Sequence, residues 1–207
     1  MNKPDRIPLF PLDVVLLPDM LLPLHIFEPR YKTMVQYCLG NQLEFGIVLA
    51  TNQTVARVGC MAEITLKIKE YPDGRMDILT GGRSAFRLTD VLEEKEYHEG
   101  IIEYIDEDRT AQDPGKEARL IEVFEQCHVL LFGRAWGDQD RERSATLAFR
   151  MTARLPTDLE QRQALLEMRT ENERRDFLLG WLAKFLPKLA DRQQARRRAG
   201  GNGHALN

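Results

Sequence analysis

The chain has 207 residues, 43% hydrophobic and 29% charged, a composition that fits a globular protein long enough to bury a core and excludes disorder for the bulk of it. Its formal net charge is −3, but Lys188, Arg192, Arg196, Arg197 and Arg198 face only Asp191 at the end, so everything before Lys188 sums to −7. That balance argues against nucleic acid as a partner of the folded part, no apolar run approaches the ~18 residues of a membrane helix, and MNKPDRIPLF lacks a secretory pattern, which leaves the cytoplasm as the default location.

Pro8 to Val35, PLFPLDVVLLPDMLLPLHIFEPRYKTMV, is strongly apolar yet carries prolines at 8, 11, 18, 23 and 29. Proline locks φ and donates no hydrogen bond, so the stretch is expected as several short extended pieces at sheet edges. It ends in a short helix: Glu28 stands at the cap, Pro29 at the first helical position, and Tyr31, Met34, Val35 and Cys38 face inward. Leu43 to Ala50, bounded by Gly40-Asn41 and Thr51-Asn52, reads as a buried strand. Ala62, Ile64, Leu66 and Ile68 then alternate with Glu63, Thr65, Lys67 and Lys69, and the turn Pro72-Asp73-Gly74 returns the chain through Met76 to Leu79. Gly81-Gly82 reads as a turn before another strand, Ala85 to Leu92, and YHEGIIEYIDED supplies one more. Short strands at this spacing predict a small barrel or rolled sheet.

Beyond a break at Asp106 to Pro114 the hydrophobic period becomes helical. Leu120, Phe124, Cys127 and Leu131 mark a helix from Lys116 to Arg134. Ser144 caps a second, carrying Leu147, Met151 and Leu155 and stopped by Pro156. Thr157 with Glu160 predicts a third, with Ala164, Leu165 and Met168 inward. Thr170 with Glu173 predicts a fourth, burying Phe177, Leu178, Trp181, Leu182 and Phe185. The expected fold class is α+β: a β-rich part at 1–112, a helical bundle at 113–190, and a basic, glycine-containing disordered tail at 191–207.

These residues resemble the Lon protease N-terminal domain family. PLFPL at Pro8, Phe10 and Pro11 and LPLHIFEPRY at Pro23, Phe27, Glu28, Arg30 and Tyr31 are similar to its two opening segments. Gly59 leads a strand like the family's, Asp73 and Gly74 stand in a P-D-G-R turn, and Gly82 starts a G-x-x-R-F-like segment. Gln163, Leu166 and Glu167 fit its L-P-x-x-x-x-x-Q-x-L-L-E pattern, and the likeness extends from about Ile7 to Leu186. Two departures stand out: Gly59-Cys60-Met61-Ala62 replaces G-T-x-A, and Ala85 takes the place of the usual arginine. The resemblance implies a PUA-like pseudobarrel beside a helical bundle, acting as a substrate-recognition module. The motif residues are read as structural; in particular, Glu28 favours the helix start and Tyr31 packs inward.

No catalytic, metal or cofactor site is expected. There is no G-x-x-x-x-G-K-[ST] phosphate cradle, TGGRSAF lacks the lysine of one, and no G-x-S-x-G elbow occurs. Cys127 and His128 are adjacent nucleophile and base types, but helix neighbours point about 100° apart, so they read as a core cysteine beside a partly exposed histidine. Cys38, Cys60 and Cys127 form no C-x-x-C pair, and His25, His98, His128 and His204 show no ligand spacing. The acidic run from Asp90 through Glu93, Glu94, Glu96, Glu99 and Glu103 to Asp108 does not match a calcium loop and reads as a solvated face.

The expected function is non-catalytic recognition of unfolded or apolar polypeptide segments, as an adaptor in protein quality control, through either an apolar groove or a sheet edge that accepts a strand. The alternative is a PUA-like RNA-binding protein, suggested by the basic tail.

Overall fold

The computed structural model describes residues 4–51, 54–105, 113–137 and 147–201. The strands are β1 (Arg6–Leu12), β2 (Leu21–Ile26), β3 (Phe45–Leu49), β4 (Val58–Glu70), β5 (Met76–Leu92) and β6 (Glu99–Tyr104). The helices are α1 (Pro29–Asn41), α2 (Pro114–Phe132), α3 (Leu147–Thr152), α4 (Leu159–Glu167) and α5 (Glu171–Gly201). The expected α+β architecture is present. The chain forms two compact units, Met1–Glu107 with Pro156–Arg169 and Asp108–Leu155 with Thr170–Asn207.

In the first unit the strands follow the order β2-β5-β4-β3-β1-β6, and a further β5–β6 pairing closes the circuit. Strand β5 is long enough, at 17 residues, to serve two structures. Its first part pairs with β2 from Leu21↔Gly81 to Ile26↔Met76, and its last part pairs with β6 from Phe86↔Tyr104 to Leu92↔Glu99. Strand β4 runs beside both parts. A closed barrel of five strands therefore continues into a three-stranded extension, β2–β5–β4.

Gly81-Gly82 is not a turn but the interior of β5. A Cβ on Gly82 would meet the Leu17 carbonyl oxygen at 2.1 Å, because the segment before β2 crosses there: Asp19 N–H donates to Gly82 O (3.0 Å) and Gly82 N–H to Met20 O (2.9 Å). Glycine serves close backbone approach at this point rather than chain reversal. Gly59 does the same on β4, where a Cβ would stand 2.5 Å from Ile47 O and 2.6 Å from the Phe86 ring. Phe86 thereby fills the barrel together with Ile7, Leu9, Val48, Met61 and Ile102.

The prolines of β1 are not on an edge either, since β1 lies between β3 and β6. Leu9 N–H donates to His98 O, so the odd residues of β1 aim their main-chain groups at β6, while Leu12 O accepts from Ala50 on the β3 side. Pro8 therefore faces β3, whose pairing begins only at Leu9↔Gly46, and Pro11 faces β6, whose register ends at Pro8↔Glu99. Each missing donor falls where no ladder partner exists. Pro23 does lie on an edge strand, because β2 pairs only with β5 among the described residues.

The alternation in β4 does not mark one buried face either. Ala62 is buried and Ile64 half-buried, but Leu66 and Ile68 are 55% exposed. The β4–β5 register shifts between Ile64 and Leu66 and again between Lys67 and Lys69, and this end of the hairpin belongs to the extension rather than the barrel. Helix α1 covers the barrel through Tyr31, whose ring lies 4.1 Å from Phe10, and ends at Gln42 in the left-handed region (φ 54°). Helix α4, expected in the bundle, belongs to the first unit, where Gln163 Nε2 donates to Val58 O (3.0 Å). Its capping box is Asp158 with Gln161, one residue later than Thr157 with Glu160.

In the second unit Asp113 caps α2 by accepting from Gly115 and Lys116 N–H, and Gly133 ends it at φ 70°. Helix α3 stops at Thr152, three residues short of Leu155, which is still buried; Ser144 lies outside the described residues. The Thr170–Glu173 box is present in both directions (3.0 and 3.1 Å). The buried stripe of α5 is Leu178, Leu182 and Leu189, whereas Phe177, Trp181 and Phe185 are only half-buried. The stripe is turned because it begins on ions. Arg175 donates to Glu117 (2.8 Å) and Glu171 (3.1 Å), Arg174 to Glu171 (2.9 Å), and Ala148 N–H also reaches Glu171, all of them buried. Helix α5 continues through residues 191–201, a stretch expected as tail, since Arg, Gln and Ala there are good helix formers.

Two changes test this packing by urea denaturation. Gly82→Ala is expected to cost ~1–3 kcal/mol through overpacking against Leu17 O. Leu182→Ala is expected to cost ~2–5 kcal/mol and Trp181→Ala clearly less; equal losses at 181 and 182 would contradict the orientation of α5.

Candidate functional site

The extension has one face without a cover among the described residues. Cross-strand partners share a face, so its three rungs are Leu21–Gly81–Glu63, Pro23–Leu79–Leu66 and His25–Asp77–Lys69. Leu21 is 59% exposed and Leu66 55%, Pro23 is exposed, and Leu79 is half-buried. A Cβ on Gly81 would meet Thr65 Cγ2 at 3.2 Å and Leu21 Cδ2 at 3.9 Å. The middle rung is thus wholly apolar and flanked by a leucine.

The lower rung is polar and aromatic. His25 Nδ1 lies 2.6 Å from Asp77 Oδ1, and Tyr71 Oη donates to Asp77 Oδ2 (2.8 Å). These bonds, with that to His25 first, hold the Asp77 carboxyl below its usual range. Phe27, 58% exposed, stacks on His25 at 6.0 Å, and Lys69 and Arg75 sit over the Tyr71 ring at 4.3 and 4.8 Å. The face offers a dry centre with rings and cations at one end, which suits an apolar segment of another chain.

The edge of β2 is less suited to strand addition. The Gly82–Met20 bond and an unbroken register direct the main-chain groups of Leu22, Leu24 and Ile26 to β5 and those of Leu21, Pro23 and His25 outward. Pro23, at the centre, has no N–H to offer, a device that blunts edge pairing.

The other motif residues have structural contacts. Glu28 pairs with Arg30 (2.9 Å) without capping α1 through its side chain, and the Arg30 guanidinium lies 4.5 Å over Tyr31. Gly74, at φ 79°, closes the β4–β5 turn with its N–H on Tyr71 O, while Asp73 binds Arg75 and its carbonyl accepts from Lys32. On α4, Leu166 is buried and Glu167 accepts from Gln163. Of the sequence motifs only Pro23 and Phe27 reach the exposed face. Leu21, Leu66 and Leu79 were missed because alternation identifies a strand's two faces but not which of them is covered.

No catalytic grouping comes together among the described residues. Cys127 is fully buried in the helical core, its thiol pushed up to about 11 by desolvation. His128 is also buried, not partly exposed as expected, with Nδ1 on Arg134 O (2.9 Å) and its ring against Phe124 and Phe132. No group of three His, Cys, Asp or Glu side chains among the described residues could hold a metal ion, and no described helix is long and apolar enough to cross a membrane. The acidic run is dispersed: Glu94 and Glu99 bind Arg6, and Glu96 accepts from Thr33.

A family model described as the ATP-dependent protease La (LON) substrate-binding domain matches residues 6–184. The chain belongs to the LON substrate-binding domain family. Lon protease 2 of Syntrophobacter fumaroxidans is 24% identical over 201 residues, 90% of this chain and 25% of that protein. The Lon protease of Trichlorobacter lovleyi is 31% identical over 138 residues, 61% of this chain and 16% of that protein. The chain thus spans about a quarter or less of these Lon proteases. Among solved structures, a Lon N-terminal domain protein from Xanthomonas campestris superposes with a TM-score of 0.70 at 25% identity, covering 85% of this chain and 98% of that one. The N-terminal domain of the Mycobacterium avium complex Lon protease, at 15% identity and a TM-score of 0.61, shares the fold.

The buried thiols give a direct check. Burial pushes Cys38 up to about 12 and raises Cys60 as well. The native LON domain is expected to leave all three cysteines unmodified by an aromatic disulfide reagent at pH 8, while the urea-unfolded chain reacts at all three. A rapidly reacting native thiol would contradict the packing.

Proposed function

We propose that this LON substrate-binding domain is a non-catalytic recognition module that holds exposed apolar segments of unfolded polypeptides on the β2–β5–β4 face, as an adaptor that presents them to a protease or chaperone. The observation that carries this reading is the uncovered apolar rung Pro23–Leu79–Leu66 with Leu21 beside it, in a fold whose family is described by substrate binding. Exposed leucines cost solvation free energy when left in water, and a partner that covers them recovers ~1.5–3 kcal/mol for each side chain fully buried. The sequence contains neither a nucleotide cradle nor a nucleophile elbow, so the reading asks only for binding. No observation favours the RNA-binding alternative.

The test is fluorescence anisotropy with a labelled, reduced and carboxymethylated protein that cannot fold. The double variant Leu21→Ser with Leu66→Ser is expected to bind at least ~10-fold more weakly, a loss of about 1.4 kcal/mol. Its melting temperature should move by no more than about 2 °C, because both positions are on the surface. Wild-type affinity in this variant would remove the apolar face from the mechanism.

A further inference from the structure

The apolar face ends on a titratable pair. His25 stands opposite Asp77 of β5, and Lys69 of β4 completes the rung. Tyr71 donates to one oxygen of the Asp77 carboxyl, and His25 Nδ1 lies 2.6 Å from the other, contacts that keep this carboxyl low and ionised. An ionised carboxylate only accepts, so Nδ1 carries the proton of the neutral ring and Nε2 keeps the lone pair. Nε2 has no hydrogen bond among the described residues, and 44% of the His25 side chain is exposed.

The charged and titratable groups around this ring are Asp77 on β5, Lys69 on β4, Tyr71, Asp73 and Arg75 in the β4–β5 turn, and Glu28, Arg30 and Lys32 on the side of α1. Arg75 pairs with Asp73 (2.7 Å) and Arg30 with Glu28 (2.9 Å), and the charge of Lys69 acts on Asp77. Each carboxylate therefore already has a cation. The Lys32 ammonium, which donates to the Asp73 carbonyl (2.9 Å), is one positive charge in excess. A proton on Nε2 of His25 adds a second, beside the dry rung Pro23–Leu79–Leu66.

A segment seated on the middle rung reaches the His25 rung two residues further along, about 7 Å away, so an apolar partner covers both. Covering a neutral imidazole costs little, whereas covering a surplus cation strips it of water without giving it a counter-charge. We infer that His25 is a proton-operated switch on the apolar face: the neutral ring lets an apolar segment settle, and a proton at Nε2 turns it away. The inference rests on the polypeptide-recognition reading and adds to it a form of regulation. Its sign follows from linkage. The covered state takes up the proton less readily than the free state, so binding is complete while the ring is neutral and is lost as the pH falls, and by reciprocity a bound segment makes His25 harder to protonate.

The experiment measures, for the full chain at pH 7.5 and 5.5, the dissociation constant of a peptide without titratable groups, acetyl-SLQLVLQLS-amide carrying a pH-insensitive dye, and follows the His25 ring protons by NMR through the same range. The constant is expected to be at least ~5-fold larger at pH 5.5, with the near-ultraviolet circular dichroism of the fold unchanged, and saturating peptide is expected to move the His25 titration midpoint to lower pH. In His25→Gln the ratio of the two constants should fall below ~1.5 whatever the absolute affinity, while His98→Gln should keep the wild-type ratio. Equal constants at the two pH values, a His25→Gln variant that keeps the ratio, or a midpoint that the peptide does not move would overturn the switch. Binding at pH 7.5 that is lost in Leu21→Ser with Leu66→Ser would still support the apolar face in those cases, so the two failures are distinguishable. Absence of peptide binding at both pH values would overturn both.

Discussion

Everything in the first unit depends on one long strand remaining continuous across a place where another segment of backbone lies almost on top of it. At Gly82 the Leu17 carbonyl stands where a Cβ would be, and two main-chain hydrogen bonds tie Gly82 to Asp19 and Met20. With any side chain there, the crossing segment would be pushed off and β2 would lose its anchor. Because the crossing is tolerated, β5 can close the barrel with one part and carry β2 with the other. The exposed face exists only because β5 and β4 run on past the barrel.

The helical unit uses a different kind of organisation. Its apolar core of Leu120, Phe124, Trp136, Leu147, Met151 and Leu182 is continued by ions: Glu117, Glu171, Arg174 and Arg175 exchange hydrogen bonds while buried. A cluster of this kind is weak evidence of net stability, since desolvation offsets much of the attraction. Its geometric effect is clear. Fixing Arg175 on Glu117 sets the rotation of α5 against α2, which turns Leu178 and Leu182 inward and leaves Trp181 and Phe185 stacked on each other at 4.5 Å, half in solvent.

The extension face is an uncovered stripe with an apolar centre; at its lower end Asp77 holds His25 and Tyr71, and Lys69 and Arg75 lie over the Tyr71 ring. An unfolded polypeptide can present apolar side chains in one run, whereas a native protein surface seldom does.

Much of this was written locally in the chain. Proline at 29 and the Thr170–Glu173 box act within a few residues of themselves, so those two helix starts could be read directly, and the Pro72-Asp73-Gly74 turn likewise marked its hairpin. The family motifs were legible for the same reason, as residues that fill the barrel or turn its strands. Tertiary structure alone decided what depends on distant partners: that Gly81-Gly82 admits a crossing strand rather than a turn, that Pro8 and Pro11 face gaps in the ladders on either side, and that α4 packs on β4. It also decided that Leu66 faces solvent although its alternation matches that of buried Ala62. Periodicity reports which residues share a face; whether that face is covered depends on which remote segment the rest of the fold brings against it.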